Sequence, residues 1–283
     1  MKNSFLKLRV LLISVFLVFI DCKNDDDSPP LPTGRTKSFA VISTDLSDIE
    51  GTVEFVENDN NSTDINFNLQ NASADFNNPI YLRRKTAFQG GGIAAALGNL
   101  DGVTGKSSFN ISKLADGQNI TYDQLLSYDG YIAIELNGDV SGELAASAHI
   151  GPNELTGNKV TYTMLFTEDF SYSGQATFAE RVNGTSSLIV SLLDSNTNAS
   201  YPSHMHSSEQ ESNNSILLTL SSVESKFKGH GFSEISVLED GVPIMYNDLL
   251  ELNASIDIHD FDDPSKVISS GGIGSNPNAI VQN

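Results

Sequence analysis

The chain has 283 residues, with 36 acidic against 16 basic side chains, a formal net charge of −20 and one cysteine. An acidic excess of this size works against nucleic acid, anionic membrane surfaces and small anionic substrates as partners. A single thiol excludes any disulfide within the chain.

Residues 1–22, MKNSFLKLRVLLISVFLVFIDC, start with Lys2, Lys7 and Arg9, run apolar over 10–20 and end on Cys22. The apolar run is short for a bilayer span, so residues 1–21 read as an export signal peptide. Its removal takes three basic residues and one acidic residue and leaves a charge of −22. Cys22, placed directly after the run, resembles the lipidated cysteine of a bacterial lipobox, with Asp21 where a small residue is usual. The following KNDDDSPPLPTG is similar to the surface-export tag of Bacteroidetes-type lipoproteins. These resemblances imply a lipid on Cys22, the membrane as a partner through that lipid, and an outer-membrane lipoprotein of the cell envelope, periplasmic or surface-exposed. Residues 22–37, with Pro29, Pro30 and Pro32, have the composition of a flexible tether.

Beyond the tether the chain repeats itself. DIEGTVEFVE (48–57) answers to YSGQATFAER (172–181), ITYDQLLSYDGYIAIEL (120–136) to IMYNDLLELNASIDIHD (244–260), and HIGPN (149–153) to GIGSN (272–276). A constant offset of 123 or 124 residues divides the chain into two copies of one domain, 38–157 and 158–283. Val53, Phe55, Ile65, Phe67 and Leu69 alternate with polar residues, as do Ile132, Ile134 and Leu136, and period two predicts strands with one packed and one wet face. LDG, ADG and EDG supply turns, and only TYDQLLSYD and MYNDLLELN look helical, about one turn each before a strand. The expected fold class is all-β, two tandem antiparallel β-sandwich domains.

The stretch from NPIYLRRKTAFQGGGIAAALGNLDG through ADGQNITYDQLLSYDGYIAIEL to IGPNELTG resembles a bacterial CHRD (chordin-type) domain. That family is related to the Cu/Zn superoxide dismutase sandwich, so the resemblance implies a Greek-key β-sandwich. In it, a His-x-His strand and a later strand with histidine between apolar residues bring imidazoles together outside the sandwich. The second copy has this pattern in SHMHS and SIDIHD. His204 and His206 are two apart and face the same way on an extended chain, while His259 faces opposite to Ile256 and Ile258. Three imidazoles on one face suit copper or zinc and leave a position for another ligand. Offsetting by one repeat puts Tyr81, Arg83 and Glu135 of the first copy opposite His204, His206 and His259, so the first domain has no metal ligands there. Arg83 and Glu135 are expected to form an ion pair near the surface, contributing about 0 to 1 kcal/mol.

Two alternatives stand beside a metal-binding envelope lipoprotein. One is a non-catalytic adhesion or scaffold module without metal; the other is a copper-dependent superoxide dismutase. For the latter the chain lacks a long histidine-rich loop, a disulfide pair and an arginine in KVISSGGIGSN. No nucleophile elbow or phosphate-cradling loop occurs, so no catalytic residue is assigned. His149 and His230 read as ordinary polar-surface histidines, FQGGGIAAALG as a bend before a strand, and the Asp257, Asp260, Asp262, Asp263 group in HDFDDPS as a solvated acidic turn.

Overall fold

The computed structural model describes residues 29–73, 77–137, 142–166, 172–193, 198–208, 215–276 and 278–282. The signal stretch and Cys22 lie outside them, and no helix of the described residues is long and apolar enough to cross a membrane.

Eight strands form the first sheet: β1 (Pro32–Ser43), β2 (Glu50–Asn58), β3 (Thr63–Gln70), β4 (Pro79–Arg84), β5 (Ile93–Asn99), β6 (Lys106–Ile111), β7 (Gly130–Glu135) and β8 (Leu144–Ile150). Their order is β5-β4-β7-β8-β1-β2-β3-β6, all antiparallel. The second sheet repeats the plan with β9 (Leu155–Phe166), β10 (Gly174–Arg181), β11 (Ser186–Leu192), β12 (Ser200–Ser207), β13 (Ile216–Glu224), β14 (His230–Ile235), β15 (Asn253–His259), β16 (Val267–Gly274) and a short β17 (Val281–Gln282) on the flank of β9. The molecule is thus all-β, with two antiparallel barrel or sandwich sheets. They differ at one seam. β13 meets β14 through the pair Glu224↔His230, and β9 pairs with both β10 and β16, so the second sheet closes on itself. Its counterparts β5 and β6 share no ladder pair among the described residues; Ser107 Oγ reaches the Asn99 carbonyl there, and Gly98 leaves room for the Phe109 ring.

Alternation builds both cores. Val53, Phe55, Ile65, Phe67 and Leu69 point inward and are buried, as are Phe178, Leu188 and Val190 of the second copy. Each such side chain contributes about 1.5–3 kcal/mol. The helical words become α1 (Tyr122–Leu126) and α2 (Tyr246–Glu251), each burying a tyrosine and a leucine. α1 starts at a capping box: the Thr121 hydroxyl accepts from the Gln124 amide while the Thr121 amide donates to Gln124 Oε1 at 2.9 Å. Asn153 and Asn276, the shared asparagines of HIGPN and GIGSN, do equivalent work. Asn153 Nδ2 donates to the carbonyls of Lys85 and Gly130, Asn276 Nδ2 to that of Ala254 and to Ser208 Oγ.

Three differences from expectation have physical causes. β1 begins at Pro32, inside the segment expected as tether. Its first half buries no apolar side chain and is held by the ladder to β2 and by Arg35, which ion-pairs with Glu57 and Asp123, so hydropathy gave no sign of it. β9 begins at Leu155, ahead of the 157/158 division: after Leu155 its next four residues, Thr156 to Lys159, are non-hydrophobic and exposed, and its ladder to β10 defines it. The third difference is at the junction of the sheets, where His149 and His230 are not polar-surface histidines. His149 lies edge-on to Phe88 with ring centroids 6.3 Å apart, and its Nδ1 is shut off from solvent without a hydrogen-bond partner among the described residues. Burial, then the charge of Arg181, lowers its pKa to about 3. His230 Nδ1 meets Asp45 Oδ2 of the first sheet at 2.5 Å. Between them Phe88 packs on Phe232, and fully buried Arg181 grips Glu234 through two 2.8 Å bonds while donating to the Asn153 carbonyl at 2.6 Å.

Candidate metal centre

β12 carries the first two histidines. Tyr201, Ser203 and Met205 point into the core and are almost fully buried, so His204 and His206, on the alternate positions, share the outer face. β15 lies beside β12 in the register Ser203↔Ile258, His204↔Asp257, Met205↔Ile256, His206↔Ser255. Ile256 and Ile258 are buried in the core, so Asp257 and His259 share the face of the two β12 histidines. The final step from β15 to β16 carries a register shift between Ile258 and His259.

The three imidazoles come together. Ring centroids are 5.0 Å apart for His204 and His259, 5.9 Å for His204 and His206, and 6.4 Å for His206 and His259. One nitrogen from each lies within 4.8 Å of the others, and among the described residues this is the one group of three or more potential ligands with such geometry. Tetrahedral zinc with about 2.0–2.1 Å bonds would place its nitrogens about 3.3 Å apart, so side-chain rotations of an ångström or so would suffice. Both ring nitrogens of His259 are buried and have no hydrogen-bond partner among the described residues. A buried polar atom without a partner is costly, and metal ligation is one way of removing that cost. Burial, then the neighbouring His259 and His206, hold the His204 imidazole below its ordinary pKa, which favours the neutral donor form.

Carboxylates complete the surroundings. Asp257 Oδ2 is 3.8 Å from His206 Nε2, and Asp257 Oδ1 accepts from Ser270 at 2.5 Å. Glu239 accepts from the amide and hydroxyl of Thr219, the β13 residue opposite His204, and draws the His204 pKa upward. Neither was expected at the site. The signal for Asp257 was there, since it stands two before His259 on the same strand; Glu239 read only as part of an EDG turn. HDFDDPS forms a turn, as expected, with Asp260 accepting from the amides of Asp262 and Asp263, whereas Asp257 is buried on β15 and takes no part in it.

On β4 and β7 the register is the same one repeat earlier: Ile80↔Ile134, Tyr81↔Ala133, Leu82↔Ile132, Arg83↔Tyr131. Arg83 Nε donates to Glu135 Oε1 at 2.7 Å, and the guanidinium lies 5.5 Å from the Tyr81 ring centroid. Glu135 is only 6 % exposed, so removing Arg83 would leave a nearly buried charge uncompensated, at a higher cost than breaking an exposed surface pair.

Fold and site together define an all-β chain of two barrel or sandwich sheets with one three-histidine group that could hold a metal ion. No family model, curated protein or solved structure matches the chain.

Proposed function

We propose that this protein is an envelope lipoprotein of two tandem Greek-key sandwiches of the CHRD type, and that the second binds one copper or zinc ion through His204, His206 and His259. The observation that carries the reading is the convergence of three ring nitrogens within 4.8 Å on one face, with His259 otherwise unpartnered. The repeated strand order supports the duplicated sandwich, and the CHRD words in the sequence support the family. A bound ion would supply a Lewis-acidic centre with a position open to a further ligand. The chain's own contribution is orientation: β12 and β15 fix the three rings, and Asp257 stands beside His206 as an outer carboxylate.

Calorimetry with copper(II) and zinc on the wild type and on His259→Ala tests this. The expected result is one site in the wild type and affinity at least about a hundredfold lower in the variant, the loss of one of three ligands. Equal affinity in both, or none in either, favours a metal-free scaffold. The lipid is tested separately, by mass spectrometry of the mature N-terminus, which should begin at diacylated Cys22.

A further inference from the structure

A cleft of about 510 Å³ opens between the two sheets, away from the three histidines. This is an ordinary size for a small-molecule site. One wall is aromatic: Phe88 follows β4, Phe227 ends the 3₁₀ turn after β13, and Phe232 lies on β14. Phe232 joins the other two, with centroids 5.3 Å from Phe88 and 6.2 Å from Phe227. Asp45, Glu143 and Glu224 also line the cleft, and among the described residues no lysine or arginine does. His230 engages Asp45, whereas Glu143 and Glu224 have no cationic side chain against them among the described residues.

This combination discriminates between ligand classes. An anion would meet carboxylates, and the one basic side chain lining the cleft among the described residues, His230, is already engaged by Asp45. A bare divalent ion needs converging oxygens, and these carboxylates do not form a ligand group close enough to hold one. A neutral apolar molecule would use the rings but strip water from the acidic rim without compensation. A cation with an apolar body satisfies both surfaces, because an aromatic face attracts positive charge and a carboxylate rim neutralises it. The rings already show this attraction toward the chain's own cations: the Arg181 guanidinium lies 5.9 Å from the Phe88 centroid and the Lys226 ammonium 4.6 Å from that of Phe227, neither side chain lining the cleft. A net charge of −20 further raises the local concentration of cations.

We propose that the cleft between the sheets binds a small organic ammonium ion, its body against Phe88, Phe227 and Phe232 and its charge balanced by Glu143 and Glu224. The site draws residues from both copies, so neither sheet alone contains it. It is independent of the metal reading, since no histidine of the β12–β15 face lines it.

The test is titration of the full chain, stripped with a chelator, with benzyltrimethylammonium chloride, and in parallel with benzyl alcohol as a neutral aromatic of similar body. Saturable binding of the cation is expected, weakening with added salt, with the alcohol at least about tenfold weaker. Phe232→Leu keeps apolar volume and removes a ring face, and should weaken the cation about tenfold. Because Phe232 also packs on Phe88 of the other copy, Phe227→Leu and Glu143→Gln, which make no such ring contact across the sheets, provide second variants, with an expected weakening of about threefold each. His259→Ala should leave the affinity unchanged, which separates this site from the metal centre. No saturable binding, equal binding of the alcohol, or unchanged affinity in both Phe227→Leu and Glu143→Gln would overturn the proposal.

Discussion

The outer faces of β4–β7 and β12–β15 occupy the same ladder positions and answer the same packing problem in opposite ways. In the first sheet Arg83 and Glu135 neutralise each other beside Tyr81, so the charges are consumed within the face. In the second, three imidazoles turn lone pairs and N–H groups toward one another, and at His259 nothing in the described chain uses them. Ala133 of the first sheet becomes Asp257 of the second, which adds a carboxylate beside the histidines. Since β4–β7 and β12–β15 share their pairing register, the difference between these two faces lies in their side chains. The same pairing supports either an internally neutralised face or one on which His259 has no hydrogen-bond partner among the described residues, and the latter has chemistry left for a ligand.

That contrast can be broken first at Arg83. Arg83→Ala strands a nearly buried carboxylate and should cost about 3 kcal/mol in urea denaturation, while Arg83→Met with Glu135→Leu should recover most of the loss. A cost below about 0.5 kcal/mol would place the pair with ordinary surface bridges. On the other face, Asp257→Asn should lower copper(II) or zinc affinity about tenfold by calorimetry with little change in stability, because the carboxylate acts through His206. The same measurement as a function of pH should show binding persisting below the usual histidine pKa of about 6.5. The His204 imidazole is held neutral by burial and its neighbours, so protons displace the ion only at lower pH. A separate, acid-dependent effect belongs to the junction. His149 takes up its proton near pH 3 when folded but near 6.5 when unfolded, so its contribution is full above 6.5 and declines as pH falls toward 3. The slope is at most about 1.4 kcal/mol per pH unit. In His149→Phe, acid denaturation should start at lower pH; an unchanged onset would assign the acid response elsewhere.

Much of this was legible in the sequence because period two fixes facing. The offset of 123 or 124 residues and the alternation around Met205, Ile256 and Ile258 suffice to put His204, His206 and His259 on one side and Arg83 with Glu135 at the equivalent place. Alternation says which way a side chain points, and is silent on what covers it. His149 and His230 therefore read as surface residues, although Phe88 of its own copy lies against His149 and Asp45 of the first sheet meets His230 of the second. The beginning of β1 was hidden for a related reason: a strand held by ladder bonds and ion pairs leaves no hydrophobic trace.

The unclosed seam between β5 and β6 bears on how each copy moves. Local opening begins where the fewest backbone bonds must break together, and in the first sheet that place is built in, filled by a Phe109 ring and a serine hydroxyl in place of a ladder pair. Amide hydrogens of β5 and β6 should accordingly exchange with solvent sooner than those of β13 and β14. The copy with the open seam is the one without the three-histidine face. The imidazoles stand on the ring that is sewn shut, where their mutual spacing is less free to drift between encounters with an ion.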